Sequence, residues 1–168
     1  MHDELTRKDI ALMQQELDDR IQNQRPVLIE EVKRCREFGD LSENFEYKEA
    51  KRAKNRNESR IRYLQNMIKT AHIIDEAPKQ DCVVGLFDKV ELFFEEDDET
   101  QVIQVVTTIR TDPGSGLISK ESPLGQAVLG RHVGDRVMVK VNEKYSYPVV
   151  IRMVQTAEDD GSAPILPF

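Results

Sequence analysis

The sequence predicts an α+β protein. A long antiparallel α-helical coiled-coil hairpin should come first, followed by a small, largely antiparallel β-sheet domain with one short helix. Three observations carry this. Apolar residues recur at helical spacing through two charged segments before residue 75. These segments flank a turn, Glu37-Phe38-Gly39-Asp40-Leu41-Ser42-Glu43-Asn44-Phe45-Glu46-Tyr47. After Pro78 the pattern changes to short β-branched runs of strand length.

The first helix should start near Thr6, which with Asp9 three residues on has the form of a capping box. Ile10, Met13, Leu17, Ile21, Leu28, Val32 and Cys35 form its apolar stripe. Pro26 has no N–H to donate, so a bend or local loss of helix is expected at residues 23–25. Gly39 stops the helix. In the second helix Tyr47, Ala50, Lys54, Asn57, Ile61, Leu64, Ile68 and Ala71 alternate steps of three and four, a heptad seam. The seam is small or polar toward the turn and aliphatic toward the other end, where the rod should be firmest. Ile73-Ile74-Asp75 followed by Pro78 ends it. The short connection forces the helices antiparallel. Roughly 32 residues at 1.5 Å each give a rod of about 48 Å.

Strands are expected at Val83-Val84, Val90-Glu91-Leu92-Phe93-Phe94, Val102-Ile103-Gln104-Val105-Val106, Val137-Met138-Val139-Lys140-Val141 and Val149-Val150-Ile151. Turns fall at Glu96-Asp97-Asp98-Glu99, Asp112-Pro113-Gly114-Ser115-Gly116 and Asn142-Glu143-Lys144. Gln126-Ala127-Val128-Leu129 should form a helical turn or two, stopped by Gly130. The domain boundaries are therefore 1–76 for the hairpin, 77–157 for the sheet domain and 158–168 for a mobile tail rich in Asp, Gly and Pro.

Composition excludes several classes. No apolar run approaches the roughly 20 residues that span a bilayer, and the N-terminus lacks the basic-then-apolar order of a signal peptide. The expectation is a cytoplasmic, monomeric protein with no membrane partner and with Cys35 and Cys82 as reduced thiols. His2, His72 and His132 are scattered, so no zinc spacing exists. Residues 1–75 carry 15 basic and 15 acidic side chains. The rest carries 9 basic and 16 acidic, and so holds the whole net charge of −7.

Within the turn, Asp40 and Glu43 stand three residues apart, with Glu37 and Glu46 on either side. Hard carboxylate oxygens held together suit Mg²⁺, but two or three alone make a weak, partial site that needs a second protein or a phosphate to complete it. Asp40-x-x-Glu43 is equally a capping box, with Asp40 as N-cap. On spacing alone, capping is the stronger reading, although the acidic surplus and Phe45 exceed what a cap requires. Beyond the turn, Lys48, Lys51, Arg52, Lys54, Arg56, Arg60, Arg62 and Lys69 face only Glu49 and Glu58 as acidic neighbours between Tyr47 and Lys69. Arg36 can join them. Such a run is usually a solvated face, yet its local excess also fits a phosphate-contacting stripe.

Arg25-Pro26 and Arg36-Glu37-Phe38-Gly39-Asp40-Leu41-Ser42-Glu43-Asn44-Phe45-Glu46-Tyr47 closely resemble the signature of the GreA/GreB transcript cleavage factors of bacterial RNA polymerase. Ile118-Ser119-Lys120-Glu121-Ser122-Pro123-Leu124-Gly125-Gln126-Ala127-Val128-Leu129-Gly130, with Val133-Gly134-Asp135, resembles that family's second signature. The resemblance implies an FKBP-like fold for the second domain. It also implies a function: the hairpin enters the polymerase secondary channel, and the factor stimulates the polymerase's own Mg²⁺-dependent cleavage of backtracked RNA. By motif position, Asp40 and Glu43 are then the tip acids that share Mg²⁺ with the polymerase, making this an accessory factor rather than a free-standing nuclease. Arg36, Lys51 and Arg52, with Lys54 and Arg56 of the same charge run, would face the nascent RNA 3′ end. Ser122, Pro123, Leu124 and Gly125 match the segment expected to face the polymerase. Phe45 departs from the small residue usual there. Other readings are a Gre-like channel regulator or inhibitor without cleavage, a prolyl isomerase suggested by the implied fold alone, and a coiled-coil scaffold.

Overall fold

A computed structural model describes residues 3–39, 44–75 and 78–166. In chain order the elements are β1 (Glu4–Leu5), α1 (Arg7–Asp19), a π-helical segment (Arg20–Gln24), α2 (Arg25–Glu37), α3 (Phe45–Thr70), β2 (His72–Ile73), β3 (Lys89–Phe94), β4 (Glu99–Val106), β5 (Leu117–Ser119), α4 (Pro123–Val128), β6 (Arg136–Lys140) and β7 (Ser146–Gln155). They fall into two compact units. Asp9–His72 make up nearly all of one, and Glu4–Lys8 with the chain from Ile73 onward make up the other.

In the first unit Pro26 does not break the helix. The turn before it widens, and the Arg25 N–H bonds to the Arg20 carbonyl, five residues back. An α turn here would need an N–H that Pro26 lacks, and would drive its ring into the carbonyl four residues back. The π turn relieves both problems. Met13, Leu17 and Cys35 of the first arm and Ala50, Ile61, Leu64 and Met67 of α3 are buried. The seam differs from the heptad reading at its far end, where Met67 is buried and Ile68 only half-buried.

The seam also encloses polar groups. Arg60, 5 % exposed, donates from Nε and Nη2 to the two carboxylate oxygens of Glu16, each at 2.9 Å. Arg20 donates to Glu16 at 2.8 Å and to Asn57 Oδ1 at 3.0 Å. Arg25 forks onto Glu58 at 2.7 and 2.8 Å. Burial raises the Glu16 carboxyl, but hydrogen bonds from Arg60 and Arg20 outweigh it and hold the group below its ordinary range. Paired charges inside a seam add little net stability, yet they penalise any register that separates them.

β1 and β2 form a two-stranded ribbon, and the larger sheet, in the second unit, has the order β5-β4-β3-β7-β6. All its pairings are antiparallel except β4 with β5. Val90, Leu92, Ile103, Val105, Val137, Val139, Val149 and Ile151 alternate onto one face and join Val84 and Val128 in the core. Each such side chain contributes about 1.5–3 kcal/mol by leaving water. Val83-Val84, expected as a strand, makes only an isolated bridge from Val83 to His132. The three-residue β5 was not anticipated. It carries only Leu117-Ile118-Ser119, too short for a visible alternation. The helical turn at residues 126–129 is α4, which starts three residues earlier at Pro123.

The tail beyond residue 157, expected to be mobile, has no regular secondary structure but is tied down. Asp159 takes a two-point ion pair from Arg110, 2.7 Å at each oxygen, with the Arg110 side chain fully buried. The Leu166 N–H bonds to the Ile109 carbonyl at 2.7 Å, and Lys8 donates to the Asp159 carbonyl. Both cysteines are free thiols, Cys35 buried and Cys82 exposed. Among the described residues no helix is long and apolar enough to cross a membrane.

Candidate functional site

The acidic pair Asp40 and Glu43 lies outside the described residues, but the structure fixes both of its flanks. Glu37 is the last residue of α2, Phe38 caps it, and Gly39 follows at φ +154°. On the other side Asn44 is the N-cap of α3. Its Oδ1 accepts from the Tyr47 N–H at 3.0 Å, and its Nδ2 donates to the Cys35 carbonyl at 2.8 Å. One side chain thus starts the second helix and ties it to the first.

This corrects the capping-box reading. The helix begins at Phe45, so its cap is Asn44 rather than Asp40. The sequence held the signal: Asn44 is a preferred cap residue directly before the helical run. The Asp40-x-x-Glu43 spacing competed with it. Beside the turn, Glu37 and Glu46 are exposed, and Phe38 and Phe45 are 74 % and 71 % exposed.

The basic run divides in two. Arg36, Lys51, Arg52 and Arg56 are exposed and Lys54 is half-buried. Arg52 pairs with Glu49 at 2.6 Å. Among the described residues no carboxylate pairs with Arg36, Lys51 or Arg56. Arg60, counted in the stripe from sequence, is instead held inside the seam by Glu16, with its guanidinium 5.2 Å from the Tyr63 ring centre. It is not available to a phosphate. Glu58 is likewise engaged by Arg25, which holds its carboxyl below the ordinary range.

The second signature segment is built by local physics. Ser122 caps α4 by accepting from the Gly125 N–H at 3.0 Å, and Pro123 opens the helix, where its missing N–H costs nothing. Gly125 is required by packing, because a Cβ there would lie 2.1 Å from the Ser119 carbonyl oxygen. Leu124 packs against the core and Pro123 is exposed. Of these four, Pro123 presents the most side chain to solvent. Among the described residues no group of three His, Cys, Asp or Glu side chains is placed to hold a metal.

Residues 4–73 match the family model described as "Transcription elongation factor, N-terminal", and residues 79–156 match "Transcription elongation factor, GreA/GreB, C-term". A "Transcription elongation factor GreA" of Oenococcus oeni is 38% identical over 154 residues, covering 92% of this chain and 95% of that protein. One from Mesomycoplasma hyopneumoniae is 42% identical over 146 residues, covering 87% and 91%. Among solved structures, GreA factor homolog 1 (Gfh1) of Thermus thermophilus is 25% identical, covers 93% of this chain and 100% of that one, and superposes with a TM-score of 0.43. The chain belongs to the GreA/GreB family of transcription elongation factors.

Proposed function

We propose that this protein is an accessory factor of bacterial RNA polymerase. Its hairpin enters the secondary channel and stimulates the polymerase's own cleavage of backtracked nascent RNA. The observation that carries the reading is family membership across both halves of the chain, including the segment that contains Asp40 and Glu43. The described flanks are compatible with it: Glu37 ends α2 and Asn44 caps α3.

In this reading Asp40 and Glu43 supply hard oxygen ligands, and the polymerase supplies the rest of the Mg²⁺ coordination. Mg²⁺ held there by Asp40 and Glu43 together with the polymerase would supply an acidified water and charge neutralisation at the scissile phosphate. Asn44 holds the end of α2 to the start of α3. Arg36, Lys51, Arg52, Lys54 and Arg56 attract the extruded RNA 3′ end through its phosphates. The segment Ser122, Pro123, Leu124 and Gly125 meets the polymerase through its exposed Pro123, with Gly125 and Leu124 packed behind it.

The test adds the protein and Mg²⁺ to a stalled, backtracked elongation complex. Short RNA fragments should leave the 3′ end. Asp40→Asn or Glu43→Gln should slow release at least about tenfold, equivalent to roughly 1.4 kcal/mol of transition-state stabilisation. Equal activity of wild type and Asp40→Asn would exclude the acidic turn from the chemistry. Polymerase binding with no added cleavage would make the protein a channel regulator instead.

A further inference from the structure

Phe94, Gln101 and Tyr147 stand on the same sheet face as the core residues Leu92, Ile103 and Val149, each two places away on its strand. The close-packed core ends there, and a cavity of about 220 Å³ opens, lined by these three residues with Tyr145, Glu96 and Asp97. The Phe94 and Tyr147 rings are stacked at 6.1 Å, and Tyr145 lies 5.9 Å from Tyr147. The Tyr145 hydroxyl donates to Glu96 Oε2 at 3.0 Å, joining the β6–β7 turn to the β3–β4 turn across the rim. Among the described residues no basic side chain lines the space. Arg136, on the neighbouring strand, is engaged by Glu95 at 2.7 and 2.8 Å.

Three aromatic rings beside two carboxylates, with no cation of the protein's own among them, make a site for an organic cation. Ring faces attract positive charge electrostatically. The carboxylates of Glu96 and Asp97, both lining the space, supply negative charge at the same place. The tyrosines respond to this field. The hydrogen bond to Glu96, then burial, then the charges of Glu96 and Asp97 push the Tyr145 hydroxyl above its ordinary value. Burial, then Glu96, does the same to Tyr147. Both shifts keep the hydroxyls protonated.

We infer that this cavity binds the guanidinium of an arginine side chain presented by a partner polypeptide. A planar guanidinium can lie on a tyrosine face while forking onto a carboxylate, whereas an ammonium is a compact, strongly hydrated point charge that does neither as well. The site does not involve the acidic turn of the hairpin and does not depend on cleavage.

The test titrates the full chain with acetyl-Gly-Arg-Gly-amide while following the Tyr145 and Tyr147 ring signals by NMR. The arginine peptide should give saturable shifts. Its citrulline counterpart, similar in shape but uncharged, should bind about tenfold more weakly or worse, and its lysine counterpart should bind several-fold more weakly. Asp97→Asn and Tyr145→Leu should each weaken the arginine peptide several-fold, and Tyr145→Phe, which keeps the ring, should do so less than Tyr145→Leu. Asp97 is exposed and Tyr145 is 49 % exposed, so neither change threatens the core. Amide signals of Val105 and Val139 report that the fold is kept. Equal binding of the citrulline peptide, lysine binding as tight as arginine, or indifference to both Asp97→Asn and Tyr145→Leu would overturn the inference.

Discussion

Asp159→Asn should cost the second unit far more than its place in an irregular tail suggests. Asp159 is only 9 % exposed, and its carboxylate meets the Arg110 guanidinium at two points of 2.7 Å. The same carboxylate accepts from the Gly161 N–H at 2.9 Å. The Arg110 guanidinium also lies 5.2 Å from the Phe87 ring centre. Asparagine keeps the shape but removes the charge opposite a buried arginine. Breaking a buried pair from one side costs about 3–5 kcal/mol, whereas an exposed pair costs about 0–1. For a slope of about 2 kcal/mol per molar urea, the midpoint should fall by about 1.5–2.5 M. The assay is a urea titration followed by the amide signals of Leu92 and Ile151, which belong to this unit alone. Replacing both partners, Arg110→Met with Asp159→Leu, should recover much of the loss, because neither change then strands a charge. A shift below about 0.5 M for Asp159→Asn, equivalent to ~1 kcal/mol, would show that the pair behaves as a surface contact and refute the clamp.

Two further predictions concern the frame. The Glu16 carboxyl titrates lower in the folded than in the unfolded chain, so the folded state binds fewer protons in that window. Its contribution is present above the unfolded value of about 4.3 and is lost as pH falls through the lower folded value. Acid melting of the hairpin, followed by circular dichroism at 222 nm or by the Leu64 amide, should steepen below about pH 4.3. Arg60→Met/Glu16→Leu should flatten that dependence, and an unchanged profile would remove Glu16 from the explanation. Gly125→Ala must move backbone, because its Cβ would sit 2.1 Å from the Ser119 oxygen. A loss of about 1–3 kcal/mol or more is expected in thermal unfolding. Gly130→Ala, with open space but φ +75°, should cost only about 1–2 kcal/mol.

Elements with a strong period were legible in the sequence. The stripe from Met13 to Cys35, the seam through Ala50, Ile61 and Leu64, and four of the strands follow from apolar spacing alone. Features that depend on a distant partner were not. Arg60 reads as one more cation in a basic run until Glu16, 44 positions away, is found beside it. Asp159 reads as tail until Arg110 is found. Asn44 was recoverable from local rules, but a more conspicuous acidic spacing hid it. The acidic pair reads from residue type as hard oxygen ligands, but the role given to it in the sequence rests on motif resemblance, because two carboxylates do not specify a partner, and Asp40 and Glu43 lie outside the described residues.

The wide turn at Arg20–Gln24 has a consequence for reach. Counting sevens from Leu17 would put Gln24 and Glu31 on the seam, with Val27 and Arg34 beside them. Yet Val27 is 68 % exposed, while Arg25 pairs with α3 and Cys35 is buried, each one place later. The π segment acts as a skip residue, absorbing one extra position so that both ends of the arm still face α3. An arm of α turns alone keeps its facing residues only when lengthened by whole repeats of seven. With a skip available, an arm can be lengthened by a single residue, about 1.5 Å, without turning its inner face outward. The length of the arm between its first turn and the end of α2 is thereby adjustable in small steps, with its inner face kept against α3.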